Sequence, residues 1–153
     1  MKSTVLVTGG AGFIGSHLVR RLLRDGYSVR VIDNLVTGFR RNLEDVQDAI
    51  DLVIGDICDP KMCAEVVDGV DVVFHVAALP SVPRSMKDPV ATHTSNVTGT
   101  LYLLEAARRA GARRFVYSSS SSAYGDTPAL PKLESMEPLP RSPYAAAKLA
   151  GEL

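Results

Sequence analysis

The sequence predicts an α/β fold in which helices cover both faces of a parallel β-sheet. Three observations support this prediction. Short apolar runs alternate with helical patterns, and within these runs almost every position is apolar rather than every second one. A glycine-rich turn joins the first run to the first helical pattern. At 153 residues, of which 46% are hydrophobic, the chain is long enough to form one domain with a substantial core.

The predicted elements follow each other in a regular order. Residues 3–9 are predicted to form a buried strand, and residues 12–26 a helix that ends at Gly26 and carries an apolar stripe of Ile14, Leu18 and Leu22. The other predicted elements are strands at 27–33 and 51–56, a short helix from Pro60 capped by Asp59, a strand at 70–78, a long helix from Pro89 to Gly111, a strand at 113–119, a loop at 127–143 and a last helix after Ser142.

Charge and composition argue against several classes of partner. Lys and Arg together number 17, as do Asp and Glu, so the net charge is zero and neither nucleic acid nor an anionic membrane is expected to bind. The chain contains no apolar run of membrane-spanning length and no signal-peptide pattern, so we expect a cytoplasmic protein. Cys58 and Cys63 are predicted to be reduced thiols, His75 a satisfied strand-end histidine, and His17 and His93 have no metal-binding partners, so no metal is expected.

A glycine-rich turn and an acidic residue predict a dinucleotide site on a Rossmann-type, doubly wound sheet. Gly10, Gly12 and Gly15 satisfy the pattern G-x-G-x-x-G, and Gly9 extends it to G-x-x-G-x-x-G. Such glycines make the tight turn, admit the pyrophosphate to the backbone and let the helix pack on the strand. A turn without a ligand is the alternative. Asp33 argues against it, because it ends the second strand where an acid can accept both ribose hydroxyls.

The same residues bear on which dinucleotide binds. A carboxylate at Asp33 would repel a 2′-phosphate, which favours NAD over NADP, although Arg40 and Arg41 leave NADP open. Asp56, after the third strand, could accept a hydrogen bond from the adenine amine. Residues 77–78, both Ala, are small enough for a cofactor to lie against the backbone after the fourth strand.

The segment SPYAAAK, residues 142–148, predicts a catalytic pair. Tyr144 and Lys148 lie four residues apart on a predicted helix and therefore share a face. The lysine charge favours the phenolate form, so the tyrosine could act as a base, and a serine from the run 118–122 could hold the substrate oxygen. An ordinary helix surface and a polar strand end are the alternatives. The agreement with the dinucleotide site favours the catalytic interpretation.

Seven segments carry a resemblance to a known family. They are TGGAGFIGSH, DN at 33–34, GDICD, HVAAL, NVTGT at 96–100, SSSSSAYGD and SPYAAAK. In this order they resemble the extended short-chain dehydrogenase/reductase family of NAD-dependent nucleotide-sugar epimerases and dehydratases, and within it the UDP-hexose 4-epimerases. The resemblance covers essentially the whole chain.

The resemblance implies three sets of site residues. The catalytic set is Ser120, Tyr144 and Lys148. The set that would bind NAD is Gly9, Gly12, Phe13, Ile14, Gly15, Asp33, Asn34, Asp56, Ile57, Ala77, Ala78, Leu79, Asn96, Tyr144 and Lys148, in which Asn96 braces the site from the long helix. The set that would contact a UDP-sugar is Ser81, Val82, Arg84, Ser120, Ser122 and Tyr144, with a solvated loop arginine as the alternative for Arg84.

The serines before Tyr124 indicate which reaction the resemblance implies. Relatives that eliminate water or decarboxylate carry an acid where this chain has Ser121 and Ser122. The absence of an acid at these positions in this chain implies inversion at C4″ of UDP-N-acetylglucosamine or UDP-glucose through a transient 4-keto sugar, in bacterial polysaccharide biosynthesis. Another oxidoreductase, dehydratase or decarboxylase of this family, or a non-catalytic NAD-binding module, is the alternative.

Family members continue beyond the last predicted helix into further strands and a smaller substrate-binding domain. We therefore expect residues 1–153 to be the NAD-binding half of such an enzyme, with negligible epimerase activity alone. The resemblance also implies a homodimer formed through the helices at 89–110 and 143–153. The alternative is that Val97, Leu101 and Leu104 face the sheet.

Overall fold

Five strands form one parallel sheet in the computed structural model, which describes residues 2–153. They are β1 (Thr4–Thr8), β2 (Ser28–Asp33), β3 (Ile50–Ile54), β4 (Val72–His75) and β5 (Arg114–Tyr117). Their order across the sheet is β3-β2-β1-β4-β5, and every pairing is parallel. The chain moves outward from β1 to β3 and then returns to the other side of β1, so the order reverses between β1 and β4. Ligands of open parallel sheets bind at the carboxyl ends of strands beside such a reversal.

Helices connect successive strands and cover the sheet. Their bounds are α1 (Phe13–Arg24), α2 (Pro60–Val66), α3 (Val82–Lys87), α4 (Pro89–His93), α5 (Thr100–Arg109) and α6 (Pro143–Ala150). A π-helical segment at Thr94–Gly99 joins α4 to α5, and 3₁₀ segments lie at Arg40–Ala49 and Ser121–Tyr124. Within residues 2–153, none of these helices combines the length and the apolar character needed to cross a bilayer.

Alternate residues of β1 face two separate cores. Leu6 is buried with side chains of α2 and α5, whereas Val5 and Val7 are buried with side chains of α1. The core members that α2 and α5 supply include Cys63, Val66, Leu103 and Ala107, and those from α1 are Val19 and Leu22. Each fully buried Val or Leu contributes about 1.5–3 kcal/mol of transfer free energy. The predicted two-sided parallel sheet is therefore confirmed.

The predicted helix boundaries are largely confirmed by their capping residues. The Asp59 carboxylate accepts a hydrogen bond from the backbone N–H of Lys61 at the start of α2. The Ser142 hydroxyl accepts one from Ala145 at the start of α6. After α1, Gly26 has a φ of 87°, a left-handed conformation that favours glycine.

Of the apolar stripe that the sequence predicts on α1, Leu22 is buried and Leu18 packs against the same core, but Ile14 does not face it. Ile14 is 60% exposed, whereas Gly15, Val19 and Leu22 are buried. The reason lies in the turn before the helix. Gly15 packs so closely on the carbonyl oxygen of Gly9 that its side of α1 must face the sheet, which turns Ile14 outward.

The long helix predicted from Pro89 also differs in detail, because it contains the π-helical segment between α4 and α5. The alternative that its apolar residues face the sheet is wrong for Leu101 and Leu104, which are 60% and 44% exposed. Leu103 and Ala107 pack toward the sheet instead. Arg84 lies on α3, which the sequence analysis did not predict.

Candidate active site

A cleft of about 440 Å³ opens at the carboxyl ends of the strands, beside α6. Most residues of the predicted NAD-binding set line it, namely Gly9, Gly12, Phe13, Ile14, Gly15, Asp33, Asn34, Asp56, Ile57, Ala77, Ala78, Tyr144 and Lys148. Residues that sequence reasoning missed also line it, namely Ile32, Thr37, Gly55, Val76, Pro80, Ser95, Ser118 and Ser119. Several of these are direct neighbours of a predicted residue, which is the signal that could have identified them.

The glycine turn between β1 and α1 leaves no room for a side chain at Gly9 or Gly15. Gly9 has a φ of 67°, and a Cβ added to it would lie 2.8 Å from the backbone of Ala77. A Cβ on Gly15 would collide with the carbonyl oxygen of Gly9. A Cβ on Gly12 would meet only that same oxygen, at 3.2 Å, so the fold itself does not exclude a side chain there. Gly12 also lines the cleft, where a side chain would occupy the space of a ligand.

The N-terminus of α1 is arranged to receive an anion. Gly12 is its N-cap and has no side chain to satisfy the first-turn N–H groups. The helices α2, α3, α4 and α6 are instead capped by the side chains of Asp59, Ser81, Asp88 and Ser142. Free N–H groups and the helix dipole together favour phosphate binding at such a terminus. The turn therefore fits the pyrophosphate of a dinucleotide.

Asp33 lies at the end of β2, where the sequence places the ribose-binding acid. Its two carboxylate oxygens accept hydrogen bonds from the backbone N–H groups of Ala11 and Leu35, at 2.9 and 2.8 Å. These bonds fix the carboxylate at the edge of the cleft. Each carboxylate oxygen has a second lone pair, so ribose hydroxyls could still donate to Asp33.

Asn34 and Asp56 form a second polar pair at the same edge. The Asn34 amide donates to one Asp56 oxygen at 2.9 Å, and the backbone N–H of Cys58 donates to the other at 2.8 Å. Partial burial raises the pKa of Asp56, but these hydrogen bonds outweigh burial, so the pKa lies below its ordinary value. Asp56 is therefore an acceptor at neutral pH, as the predicted adenine contact requires.

A buried chain of hydrogen bonds holds the start of the loop after β4. The Thr8 hydroxyl oxygen accepts from the backbone N–H of Val76 and Ala77, at 3.2 and 3.1 Å, and lies 2.7 Å from His75 Nδ1. His75 Nε2 lies 2.8 Å from the Thr100 hydroxyl, which donates to the backbone carbonyl of residue 96. That hydroxyl has a single proton, so Nε2–H must donate to it and Nδ1 must accept from Thr8. The predicted satisfied histidine is confirmed.

His75 is uncharged in this arrangement. Burial and, to a lesser extent, the nearby charge of Lys148 together lower its pKa to about 3. A neutral imidazole is also what the network requires, since one ring nitrogen accepts a hydrogen bond.

Asn96 holds the far end of the same loop and does not line the cleft. Its side chain accepts from the backbone N–H of Leu79 at 2.7 Å and donates to the carbonyl oxygen of Leu79 at 3.0 Å. Asn96 is buried in the π-helical segment. The loop 76–79 is thus fixed at both ends, and Ala77 and Ala78 between them line the cleft.

Lys148 is a buried cation at the floor of the cleft. It is 3% exposed, and its Nζ donates to the backbone carbonyl of Ser118 at 2.7 Å. Burial lowers its pKa to about 8, so the ammonium is still mostly charged at neutral pH. Tyr144 lies one turn earlier on α6 and lines the same cleft. An ammonium and a phenol on one helix face are the components of a base whose charged form is stabilised.

Ser120 and Ser122 lie in the turn that follows β5. Their hydroxyl oxygens are 2.8 Å apart, and Ser120 also accepts from the backbone N–H of Ser122. The 3₁₀ segment Ser121–Tyr124 that Ser120 caps packs against α6. The cleft is lined by Ser118 and Ser119 rather than by Ser120 and Ser122.

The other residues of the predicted sugar-binding set lie at the start of α3. Ser81 has a φ of 97° and caps this helix through a hydrogen bond from the backbone N–H of Arg84. Ser81, Val82 and Arg84 are exposed and do not line the cleft, although Pro80 beside them does. The structure therefore places this set next to the cleft mouth.

Within residues 2–153, no three His, Cys, Asp or Glu side chains meet in a way that could hold a metal ion. Cys58 and Cys63 are free thiols, and burial raises their pKa values to about 12 and about 11. Neither thiol is therefore activated as a nucleophile.

Comparison with known proteins gives a consistent result. The sequence profile of the NAD dependent epimerase/dehydratase family matches residues 5–153. A UDP-glucose 4-epimerase of Mycolicibacterium smegmatis is 48% identical over 152 residues, which cover 97% of this chain and 49% of that protein.

Two solved structures share the fold over almost the whole chain. A UDP-N-acetylglucosamine 4-epimerase from Methanobrevibacter ruminantium, in complex with UDP-N-acetylmuramic acid, superposes with a TM-score of 0.92 at 40% identity. The match covers 99% of this chain and 49% of the epimerase chain. A dTDP-glucose 4,6-dehydratase from Streptomyces venezuelae with NAD bound has a TM-score of 0.92 at 40% identity, with coverage of 97% and 49%. The chain thus spans about half the length of these proteins.

Proposed function

Because the chain belongs to the NAD dependent epimerase/dehydratase family, we propose that it supplies the cofactor site and the acid–base residues of a nucleotide-sugar 4-epimerase. One observation carries the proposal. A single cleft is lined by the glycine turn, by Asp33 and by the pair Tyr144 and Lys148. The first two fit a dinucleotide and the pair fits proton transfer, so cofactor and base would meet at one place.

NAD is the cofactor that this site would hold. The N–H groups at the start of α1 would bind its pyrophosphate, Asp33 the adenosine ribose, and Asp56 the adenine amine. The loop 76–79, held by Thr8 and Asn96, would lie against the nicotinamide side. When bound, NAD accepts a hydride from the sugar and returns it, without net oxidation.

The residues of this chain would carry the proton. Tyr144, as phenolate, would take the proton of the 4″-hydroxyl group while C4″ loses its hydride, which leaves a 4-keto sugar. Lys148 would stabilise the phenolate through its charge, since its ammonium is buried and bound to Ser118. Ser120, which directly follows the cleft-lining Ser118 and Ser119, would hold the sugar oxygen. After the keto sugar has turned over, Tyr144 would return its proton to the oxygen as C4″ regains the hydride on its other face.

Epimerisation is favoured over dehydration by the residues after β5. Elimination of water needs a further acid near the sugar, and residues 118–123 are five serines and an alanine. The similarity to the Streptomyces dehydratase keeps dehydration as the second candidate, because its identity and TM-score match those of the Methanobrevibacter epimerase. The products differ: epimerisation preserves the mass of the sugar nucleotide, whereas dehydration removes one water.

We also propose that sugar recognition requires a domain outside residues 1–153. The solved relatives extend to about twice the matched length. In addition, β5 pairs with β4 alone among the described residues, and Val116 on β5 is 41% exposed. Parallel strands are normally covered on both faces and paired on both sides, so a further strand could pair with β5.

A homodimer is the assembly we propose. An apolar groove of about 520 Å³ lies between α4 and α6 and is lined by Pro89, Val90, His93, Thr94, Val97, Pro143, Ala146, Ala147 and Ala150. Val90 is 73% exposed there, and Leu101 and Leu104 on α5 are also exposed. Two such helix pairs could pack around a twofold axis.

We place the enzyme in the cytoplasm, where its thiols stay reduced, and assign its product to bacterial polysaccharide biosynthesis.

Calorimetric titration of the 153-residue chain with NAD and with NADP tests the cofactor assignment. We expect NAD to bind more tightly than NADP, because the carboxylate of Asp33 repels a 2′-phosphate. In Asp33→Asn this preference should shrink at least about tenfold, or about 1.4 kcal/mol. Equal affinity of the wild-type chain for both dinucleotides would contradict the role given to Asp33, and absence of binding to either would contradict the proposed site.

A further inference from the structure

Tyr117, the last residue of β5, lies directly against Lys148. The centre of its ring is 4.9 Å from Lys148 Nζ. A cation within about 6 Å of an aromatic ring face is attracted by the negative charge of that face, most strongly where water is excluded. The Tyr117 hydroxyl also points to the backbone carbonyl of Lys148, at 3.4 Å. Tyr117 thus contacts both the side chain and the backbone of Lys148.

The chain makes room for this ring at the end of α6. A Cβ added to Gly151 would collide with the ring carbons of Tyr117. On the other side, the ring packs against the imidazole of His75, with 5.6 Å between centroids. The half-buried phenol therefore contacts both His75 of β4 and the end of α6, and these contacts hold its ring beside Lys148.

Lys148 has little else to compensate for its burial. Its one hydrogen bond in the structure goes to the carbonyl of Ser118. Among residues 2–153, no Asp or Glu forms an ion pair with it. A buried charge without compensation is costly, and such a lysine would lose its proton or turn toward solvent. The ring face of Tyr117 is the remaining favourable contact.

We propose that Tyr117 is a positioning residue that holds the ammonium of Lys148 charged, between the Ser118 carbonyl and the cleft. The phenol acts through Lys148 and does not line the cleft. The inference rests on the proposed function in one respect: there, the charge of Lys148 stabilises the phenolate of Tyr144. The contact between the ring and the ammonium is independent of any reaction.

The other titratable groups around Lys148 are the same in the wild type and the Tyr117 variants, including Tyr144, one turn earlier on α6. His75, from β4, is neutral because burial lowers its pKa to about 3. Burial, followed by smaller contributions from Tyr144 and Glu152, raises the pKa of Tyr117 to about 12. Tyr117 therefore remains an uncharged ring throughout the range in which Lys148 loses its proton.

The test follows the titration of Lys148 by NMR in the 153-residue chain labelled with ¹³C at lysine Cε. The Lys148 signal is identified by its loss in Lys148→Arg. Tyr117→Phe keeps the ring face, and we expect Lys148 to titrate as in the wild type. Tyr117→Leu removes the ring face, and we expect the pKa of Lys148 to fall by about a further 1. The matched control is Phe115→Leu, which also removes a ring packed on His75, 5.7 Å away, and should leave the titration unchanged.

Two results would overturn the proposal: an unchanged titration of Lys148 in Tyr117→Leu, or an equal fall in Tyr117→Phe and Tyr117→Leu. If Tyr117→Leu does not fold, Gly151→Ala replaces it, because the added methyl group must displace the ring. We then expect a lower pKa of Lys148, and no change would count against the proposal. Titration with NAD on the same samples distinguishes a failure of the inference about Tyr117 from a failure of the proposed function. A wild-type chain that fails to bind NAD contradicts the proposed function and leaves the comparison of Lys148 titrations intact.

Discussion

The ammonium group of Lys148 donates a hydrogen bond to the backbone carbonyl of Ser118. This 2.7 Å bond joins α6 to the end of β5. The cation on which the proposed proton transfer depends is buried, and burial lowers its pKa to about 8 from an ordinary value of 10.5. Between these two values the unfolded chain holds the proton more tightly than the folded chain. The charge on Lys148 thus costs stability below pH 8, and the cost disappears as the pH rises toward 10.5.

Replacement of Lys148 by Met should reveal this cost. We expect Lys148→Met to be at least as stable as the wild type at pH 7, because no charge has to be buried. Between pH 7 and pH 10 the wild type should gain about 2 kcal/mol of unfolding free energy relative to the variant. Urea denaturation of both proteins at the two pH values measures the difference. A gap that stays constant with pH would show that Lys148 is not a buried cation.

His75 predicts a pH dependence in the acid range. Its pKa in the folded chain is about 3, against an ordinary 6.5, so the unfolded chain binds the proton first as the pH falls. The neutral histidine therefore stabilises the fold above pH 6.5, and this contribution is lost progressively below it. Between pH 7 and pH 5, the wild type should lose about 2 kcal/mol more unfolding free energy than His75→Asn, which has no titrating ring. Equal losses in urea denaturation would mean that His75 is accessible to protons in the folded state.

The glycine turn offers a separation of folding from binding. Gly12→Ala adds a methyl group toward the cleft, and we expect it to cost about 1 kcal/mol of stability and at least about tenfold in NAD affinity. Gly15→Ala forces a methyl group against the Gly9 carbonyl, which cannot move aside, and should cost at least about 2 kcal/mol. Thermal unfolding and NAD titration measure both effects.

Gly26→Ala is the control for glycine substitutions in general. Nothing lies within 4 Å of its added methyl group, so only the left-handed backbone at φ 87° is strained. We expect a loss of about 1 kcal/mol with unchanged NAD affinity. An NAD affinity of Gly12→Ala as high as that of Gly26→Ala would contradict the phosphate site.

The apolar groove between α4 and α6 predicts the assembly. Val90→Glu places a charge at the exposed centre of the proposed dimer surface and should produce a monomer without loss of fold. Val36→Glu is the control, since Val36 is 67% exposed and does not line the groove. Light scattering coupled to size-exclusion chromatography measures the mass. A wild-type monomer, or a dimer that survives Val90→Glu, would contradict the assembly.

Much of the fold follows from local signals in the sequence. Capping residues such as Asp59 and Ser142 accept hydrogen bonds from backbone N–H groups two or three residues later in the chain. The sequence alone therefore predicts where their helices begin. The outward position of Ile14 at the start of α1 does not follow in this way. It depends on the contact between Gly15 and Gly9, which exists only once the turn is formed, and the hydrophobicity of Ile14 gives the opposite signal.

The candidate site shows the same limit. The glycine turn, Asp33 and the pair Tyr144 and Lys148 are visible as spaced motifs, and the cleft brings them together. The partners of His75 are not visible, because Thr8 and Thr100 lie 67 and 25 residues away and resemble ordinary threonines. Nor does any local pattern distinguish Tyr117 from other aromatic strand residues, since its contact with Lys148 spans 31 residues.

The most direct test of the account joins residues 1–153 to the part of a relative that they do not match. Residues 1–153 would replace the matching half of the Mycolicibacterium smegmatis UDP-glucose 4-epimerase, which is 48% identical to the chain. Incubation with UDP-glucose and NAD, followed by NMR of the sugar nucleotide, measures inversion at C4″. We expect the C4″ epimer to form without loss of mass, and Tyr144→Phe to slow its formation at least about 100-fold while NAD still binds. A chimera that binds NAD and yields no epimer, or a Tyr144→Phe chimera as active as its parent, would contradict the account.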